Sequence, residues 1–265
     1  MAMFGVLTLT VLALSAAFAP EIATHGPLYI DIMHRFSPPL HNGFLLGSDP
    51  LGRDIFSRLL YAGRISLSIG FFAMLVSVLV GTTVGVLSAY QKGWVDAALM
   101  RLVDVVFSFP NVFLLLLIAA FLPPSTMSIT LIVGLTSWVG TARLVRGQVL
   151  TVLGNEFVDA SRVVGASDLR IVLRHILPNS LAPIVVAGTL TVADAILAES
   201  YVSYLGYGIQ PPLASWGNML NNAQSYLTTA PWLAVSPGFV IALAVTSINF
   251  IGDGLRDALD PRLQV

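Results

Sequence analysis

The sequence predicts an all-α chain that crosses a membrane about six times. Three observations carry this reading. The first is composition. The chain has 265 residues, 56% hydrophobic and only 10% charged, with a mean hydropathy of +0.84. A soluble globular domain carries roughly a quarter charged residues. The second is where charge is missing. No Asp, Glu, Lys or Arg occurs in 65–91, 105–142 or 201–252. A spanning helix needs about 20 mostly apolar residues, so these blocks hold one, two and one spans with loop left over. The third is that Lys and Arg collect at alternate connections, as they do in short cytoplasmic loops.

The elements follow in order. The first span is 3–19. Ala17-Phe18-Ala19 has the form of a signal-peptide cleavage site. No basic segment precedes the apolar run and Pro20 would follow the cut, so the segment reads as a retained helix. Its abrupt start suggests a short or missing N-terminal tail. Residues 20–64 form a long polar external loop with His25, His34 and His41. Those spacings match no helical pair or metal motif. The loop ends in an amphipathic helix. Ile55, Phe56, Leu59 and Leu60 share one face, while Asp54 and Arg58 lie off it. Such a helix lies at the interface or packs on a partner.

The second span, 66–89, carries Gly70, Gly81 and Gly85 as small positions for close helix approach. The third, 100–122, contains Pro110 and should kink there. Pro123-Pro124-Ser125 makes the turn into the fourth, 128–145. A charged stretch over 143–174 leads to the fifth span, 181–205. A polar loop over 206–230 leads to the sixth, 231–251. Lys92, Arg101, Arg143, Arg146, Arg162, Arg170, Arg174, Arg256 and Arg262 fall on one side, nine of the 13 basic residues. Arg35, Arg53, Arg58 and Arg64 lie in or at the end of the first loop. Both termini are therefore expected in the cytoplasm. The net charge of −1 gives no reason for a nucleic-acid partner. Cysteine is absent, which removes disulfides, thiolate metal sites and thiol nucleophiles and fits any compartment.

Residues 156–178 read EFVDASRVVGASDLRIVLRHILP. The pattern predicts two short amphipathic helices joined by a turn. Phe157, Ala160 and Val164 form the apolar stripe of the first, with Glu156, Asp159 and Arg162 on another face. Gly165 breaks it, being free to adopt positive φ. Ser167 is placed to cap the second. There Leu169, Val172 and Ile176 share a face, Arg170 and Arg174 lie on another, and Pro178 leads into the fifth span.

This segment resembles the cytoplasmic loop of binding-protein-dependent ABC importer permeases. The family pattern is Glu-Ala-Ala, three residues, Gly, nine residues, then Ile-x-Leu-Pro. Asp159-Ala160-Ser161, Gly165 and Leu177-Pro178 keep its spacing. The departures are Asp159 for Glu, Ser161 for Ala and His175 for Ile. Further runs resemble the dipeptide, oligopeptide and nickel permeases, in their second or C-type subunit: Gly47-Ser48-Asp49-Pro50-Leu51-Gly52-Arg53-Asp54, Ser57-Arg58-Leu59-Leu60-Tyr61, Gly63-Arg64-Ile65-Ser66-Leu67, Gly206-Tyr207-Gly208-Ile209-Gln210-Pro211-Pro212 with Ser215-Trp216-Gly217-Asn218-Met219, and the ending Gly252–Arg262.

The resemblance implies the type I ABC importer permease fold. Residues 1–19 would be the first transmembrane helix, 20–64 the external loop, and 65–265 a core of five spans with a cytoplasmic coupling loop at 146–180. It implies an inner-membrane permease for dipeptides or oligopeptides. Glu156, Asp159, Ala160, Ser161, Gly165, Leu177 and Pro178 would dock on an ATPase. The partners would be a homologous permease in a heterodimer, two ATP-binding subunits and an external solute-binding protein. ATP and magnesium would sit on those ATP-binding subunits, with no cofactor in this chain. Nickel or another small solute is the alternative cargo. A self-sufficient channel or secondary transporter is the alternative class.

No phosphate-binding G-x-x-x-x-G-K-[ST] loop occurs, and neither H-E-x-x-H nor G-x-S-x-G. Neither ATP hydrolysis nor intramembrane proteolysis has a constellation here. Asp194 and Glu199 lie about 20 Å and about 27 Å along the fifth span from Leu181. Charges at such depth usually face a cavity, the bundle interior or a partner. Both acids stand as candidates for the translocation pathway or for contact with the neighbouring permease. Asp104 reads as an interfacial residue.

Overall fold

A computed structural model describes residues 1–259. The part of the C-terminal motif at Asp260, Pro261 and Arg262 lies outside the described residues. The helices are α1 (Ala2–Ala17), α2 (Ala19–Ile22), α3 (Ile55–Gln91), α4 (Gly93–Ser108), α5 (Asn111–Phe121), α6 (Thr126–Leu153), α7 (Glu156–Val163), α8 (Asp168–Ile171), α9 (Leu177–Tyr204), α10 (Trp216–Met219) and α11 (Trp232–Leu259). No strand forms among the described residues. Four helical runs are long and apolar enough to cross a bilayer: α3, α6, the continuous run Asp168–Tyr204, and α11. The pair α4 and α5 makes a fifth if counted as one broken span, and α1 is a shorter apolar helix. The fold is thus the all-α, polytopic one the composition predicts.

Three elements differ from the sequence reading. At Pro110 the third span does not kink but breaks, and α4 and α5 meet at 88°. Pro110 has no N–H to continue the ladder, and its ring drives the preceding residue out of the α region. Phe109 is accordingly extended, at φ −85 and ψ 135. Second, the amphipathic helix of the first loop is not separate. It is the start of α3, whose 37 residues run about 55 Å at 1.5 Å each. The hydrocarbon core takes only about 30 Å of that. Asp54 caps this start by accepting from Ser57 N at 3.0 Å. Ile55, Leu59 and Leu60 are buried, and so are Asp54 and Arg58. This turn packs inside the chain rather than lying on an interface. Third, the helix that carries the fifth span begins at Asp168, well before the span expected at 181, and runs without interruption past Pro178.

Small residues set the helix spacing. A Cβ added at Gly81 would lie 2.6 Å from the Thr141 Cβ, and one at Gly85 would lie 2.7 Å from the Ala142 carbonyl. Gly70 meets Ile196 of α9 in the same way, at 2.8 Å. α3 therefore nests against α6 and α9 through backbone contact, the means by which helices associate in lipid. α1 packs on α3 and α11. Gly63 sits against Ala16, and Gly254 against Ala2. Both ends of the described chain therefore lie at one end of the bundle, where α7 and α8 also lie. We call this the basic end.

At the opposite end the first loop is folded tightly. Asp49 closes a turn by accepting from Leu51 N at 2.8 Å and Arg53 N at 3.0 Å. Trp232 Nε1 donates to the Ser48 carbonyl at 3.2 Å. His25, His34 and His41 each have a separate neighbour: Asp54, Asp31 and the Pro39 carbonyl.

Candidate functional site

The basic end carries a projection. α6 ends at Gly154, and α7 turns back beside the start of the Asp168–Tyr204 run. One residue anchors α7. Val158 is fully buried in a cluster with Val145, Val149, Val152, Ile171 and Ile176. The stripe of Phe157, Ala160 and Val164 read from the sequence faces the other way and is exposed. Val163 and Val164 are each 88% exposed, Leu169 68% and Leu173 57%. The periodicity identified an apolar face but not its direction. Val158, the true anchor, fell between the stripe and the charged face.

The turn after α7 is set by Gly165, at φ +87. Gly165 N donates to Arg162 O at 2.9 Å and Ala166 N to Ser161 O at 3.0 Å. This pair of bonds closes the helix with a residue in the left-handed region, where glycine carries no Cβ penalty. No atom lies within 4 Å of an added Cβ at this glycine, so the backbone angle alone demands it. Ser167 occupies the capping position of α8, but its side chain makes no capping bond. Asp168 instead accepts from Tyr90 Oη at 2.6 Å, which ties the projection to the end of α3.

The other predicted residues lie close by. Glu156 and Asp159 are exposed in the first turn of α7, and Asp159 pairs with Arg162 at 3.1 Å. Ala160 is exposed. Ser161 Oγ donates to the Phe157 carbonyl at 2.8 Å and lies 3.4 Å from His175 Nε2. The His175 ring is 6.1 Å from that of Phe157. Two departures from the family pattern, Ser161 and His175, therefore meet each other. Leu177 is half-buried in the anchoring cluster. Pro178 is exposed in the first turn of α9, after a widened turn over Val172–Ile176. The His175 carbonyl near this proline accepts from Asn179 Nδ2 at 2.6 Å.

A second feature is a groove along α9. Two cavities, of about 530 Å³ and about 750 Å³, share Ser137, Gly140 and Asp194. The first extends past the α4–α5 break to Tyr201. The second extends to Asn179, Gln148 and Arg256 at the basic end. Asp194 is exposed where they meet, and it has no hydrogen-bond or ion-pair partner among the described residues.

Glu199 does not share this groove. It is fully buried. It accepts from Ser66 Oγ at 3.0 Å and Ser203 Oγ at 2.7 Å. Ser66 Oγ in turn accepts from Trp216 N at 3.1 Å, and Ser203 Oγ from Ile209 N at 3.1 Å. The two acids that the sequence grouped together separate in the fold. One faces open space and the other ties α3, α9 and the 206–216 connection together. Asp104 is also more than an interfacial residue. It pairs with Arg143 of α6 at 2.6 Å, and the Arg143 guanidinium stacks over Phe107 at 4.2 Å.

Comparison with known proteins agrees with this architecture. Residues 81–265 match the family described as binding-protein-dependent transport system inner membrane component. The dipeptide transport system permease protein DppC of Alkalihalophilus pseudofirmus is 38% identical over 264 residues, covering 100% of this chain and 86% of that protein. The oligopeptide transport system permease protein OppC of Bacillus subtilis is also 38% identical, with the same coverage. The glutathione transport system permease protein GsiD of Pectobacterium atrosepticum is 43% identical, covering 83% of this chain and 73% of that protein. An inward-facing structure of the MetNI methionine ABC transporter shares the fold. Its TM-score is 0.65 at 19% identity, covering 77% of this chain and 96% of that chain. The chain is a multi-pass membrane protein and belongs to the family of binding-protein-dependent transport system inner membrane components.

Proposed function

We propose that this chain is the permease subunit of a peptide importer and that α7 and the turn at Gly165 receive the motion of a separate ATPase. One observation carries this reading. The projection anchors itself through Val158 of α7 and Ile171 of α8 and leaves Val163, Val164, Leu169 and Leu173 bare. An apolar surface of that kind on a polar end marks a protein contact. Glu156, Asp159, Ala160, Ser161 and Gly165 form the docking face. Leu177 and Pro178 pass its displacement into α9, a stiff run that continues to Asp194. Docking and gating then share one free-energy difference between two global states.

Asp194 is the pathway residue, placed in the groove to meet a cationic group such as a peptide's amino terminus. Glu199 supports the pathway from behind by holding α9 to α3. The groove is completed by a homologous permease in a heterodimer. Two ATP-binding subunits carry ATP and magnesium, and an external solute-binding protein delivers the peptide. The basic end faces the cytoplasm. Arg53 and Arg64, on the opposite side, are locally occupied. Arg53 pairs with Asp49, and Arg64 donates to the carbonyls of Ala16 and Ala17 at 2.7 and 2.5 Å, the C-terminus of α1.

The test is ATP-driven uptake of a labelled dipeptide by the purified complex in liposomes. Asp194→Asn should leave assembly and ATPase copurification intact and lower uptake by tenfold or more. Wild-type uptake by this variant would remove Asp194 from the pathway. Failure of an ATPase to copurify with the wild-type chain would remove the importer reading itself.

A further inference from the structure

At the end of the bundle opposite the projection lies a third cavity, of about 290 Å³. Its walls are the turn at Asp49–Arg53, the first turns of α3 and the 206–226 connection. It shares no lining residue with the groove at Asp194. Arg58 lines it and is only 7% exposed, and Nη1 of its guanidinium is buried without a hydrogen-bond partner among the described residues.

The acids nearest to Arg58 in sequence are already engaged. Asp49 Oδ1 accepts two backbone N–H groups, and its Oδ2 takes Arg53 Nε at 2.5 Å. Asp54 Oδ2 accepts from Thr24, from Ser57 N and from Ser57 Oγ, while its Oδ1 is buried without a hydrogen-bond partner among the described residues. No ion pair joins either acid to Arg58 among the described residues. Elsewhere the chain treats its sequestered charges differently. Buried Glu199 has its serines, and half-buried Arg146 has Asp96 at 2.6 Å. A buried charge left unpaired is costly.

We propose that this cavity is a carboxylate-binding site in which Arg58 is the anchoring group. A guanidinium holds a carboxylate through two parallel N–H bonds. The remaining lining is suited to a small polar ligand: Gln210, Asn218, Asn221, Asn222 and Tyr226 offer neutral donors and acceptors around the charge. A carboxylate fits the charge balance better than a phosphate does. Arg53 pairs with Asp49, so among the described residues Arg58 is the one cation lining the cavity without an acidic partner, enough for a monoanion. The volume is at the lower edge of ligand pockets, which run about 300–1,000 Å³. It takes one carboxyl group and its immediate carrier, not an extended chain. That carrier is either the free end of a small peptide or an acidic side chain on an external protein. The inference assigns a ligand to a cavity that the transport reading leaves unused, and its test does not depend on uptake.

The experiment follows thermal unfolding of the purified complex in nanodiscs. Four probes are added at matched ionic strength: glutarate, glycylglycine, glycylglycinamide, and a pentapeptide with both ends blocked and one central Glu. A ligand that binds only the folded state raises its midpoint. Glutarate should raise the midpoint by several degrees and glycylglycinamide should not. A shift with glycylglycine alone of the two peptides assigns the site to a peptide's free end. A shift with the blocked pentapeptide assigns it to an acidic side chain. Arg58→Met should unfold at or above the wild-type temperature without probe and lose every carboxylate-dependent shift. Arg58→Lys should keep less than half of it. No shift from any carboxylate, or equal shifts in wild type and Arg58→Met, overturns the proposal. So does an Arg58→Met chain that cannot assemble, since Arg58 would then be a structural cation.

Discussion

Two connections between spans, 154–176 and 206–231, are both polar in sequence and built on opposite plans. The first buries Val158, Ile171 and Ile176 as its anchor and turns Val163, Val164, Leu169 and Leu173 outward. The second folds down onto its own helices. Trp216 is 1% exposed and donates its Nε1 to the Leu59 carbonyl at 3.1 Å. Ser215 and Asn218 cap α10 reciprocally, Asn218 N to Ser215 Oγ at 3.1 Å and Ser215 N to Asn218 Oδ1 at 3.0 Å. A connection that buries Trp216 at its centre and caps its own helix, while Tyr207, Leu213 and Leu227 stay about half exposed at its edges, is held largely within the chain. One that leaves Val163 and Val164 88% exposed at a polar end is, on the proposed function, completed by another protein. The two should therefore respond oppositely to mutation. Changes in the inward connection should cost stability, and changes in the outward one should cost partner binding.

The largest stability effect is expected at Trp216. Its replacement by Ala removes a buried aromatic side chain and should cost about 3–5 kcal/mol, seen as a lower denaturation temperature of the detergent-solubilised chain. A loss below about 0.5 kcal/mol, the usual range for a surface substitution, would break the comparison by showing that α10 is not structural.

Gly165→Val should be intermediate. A β-branched residue at φ +87 is strained whatever the space around it. The left-handed conformation costs an ordinary residue about 1–2 kcal/mol, and that cost falls on the turn alone. The variant should keep its helix content and stay in the membrane while losing most ATPase copurification. Unchanged copurification would show that the shape of this turn is not what the partner reads.

The smallest stability effect is expected for the double change Val163→Ser and Val164→Ser. Both side chains are 88% exposed, so stability should stay within about 0.5 kcal/mol. ATPase binding should nonetheless weaken by tenfold or more in a pull-down. If stability falls and binding does not, the valines pack on this chain and the contrast between the two connections disappears.

Much of this was legible beforehand, and what was missed follows a pattern. The Gly165 turn was legible because φ > 0 is a local demand that one residue type answers. The close-packing glycines were legible as small residues in an apolar run, and Pro110 as a residue without a donor. The size of the break at Pro110 was not, because the angle depends on what α4 and α5 pack against. Val103 of α4 packs with Trp138, Val139 and Ala142, while Leu115 and Ala119 of α5 pack with Ile129, Ile132 and Val133. The outward direction of the α7 stripe was equally hidden. Periodicity gives a face but never states which neighbour covers it.

By itself, then, the sequence determined the class of the molecule, its helical runs, the place of the projection and its turn. Each depends on neighbouring residues: backbone groups must be satisfied inside a bilayer, and apolar length sets what can span it. Only the tertiary structure separated Asp194 from Glu199, joined Ser161 to His175 and Tyr90 to Asp168, and left Arg58 facing a cavity without a partner. Those outcomes depend on residues as far apart as Ser66 and Glu199, or Leu59 and Trp216. A buried acid and a groove-facing acid have the same local sequence character. What distinguishes them is whether distant hydroxyls arrive to accept the cost of burial.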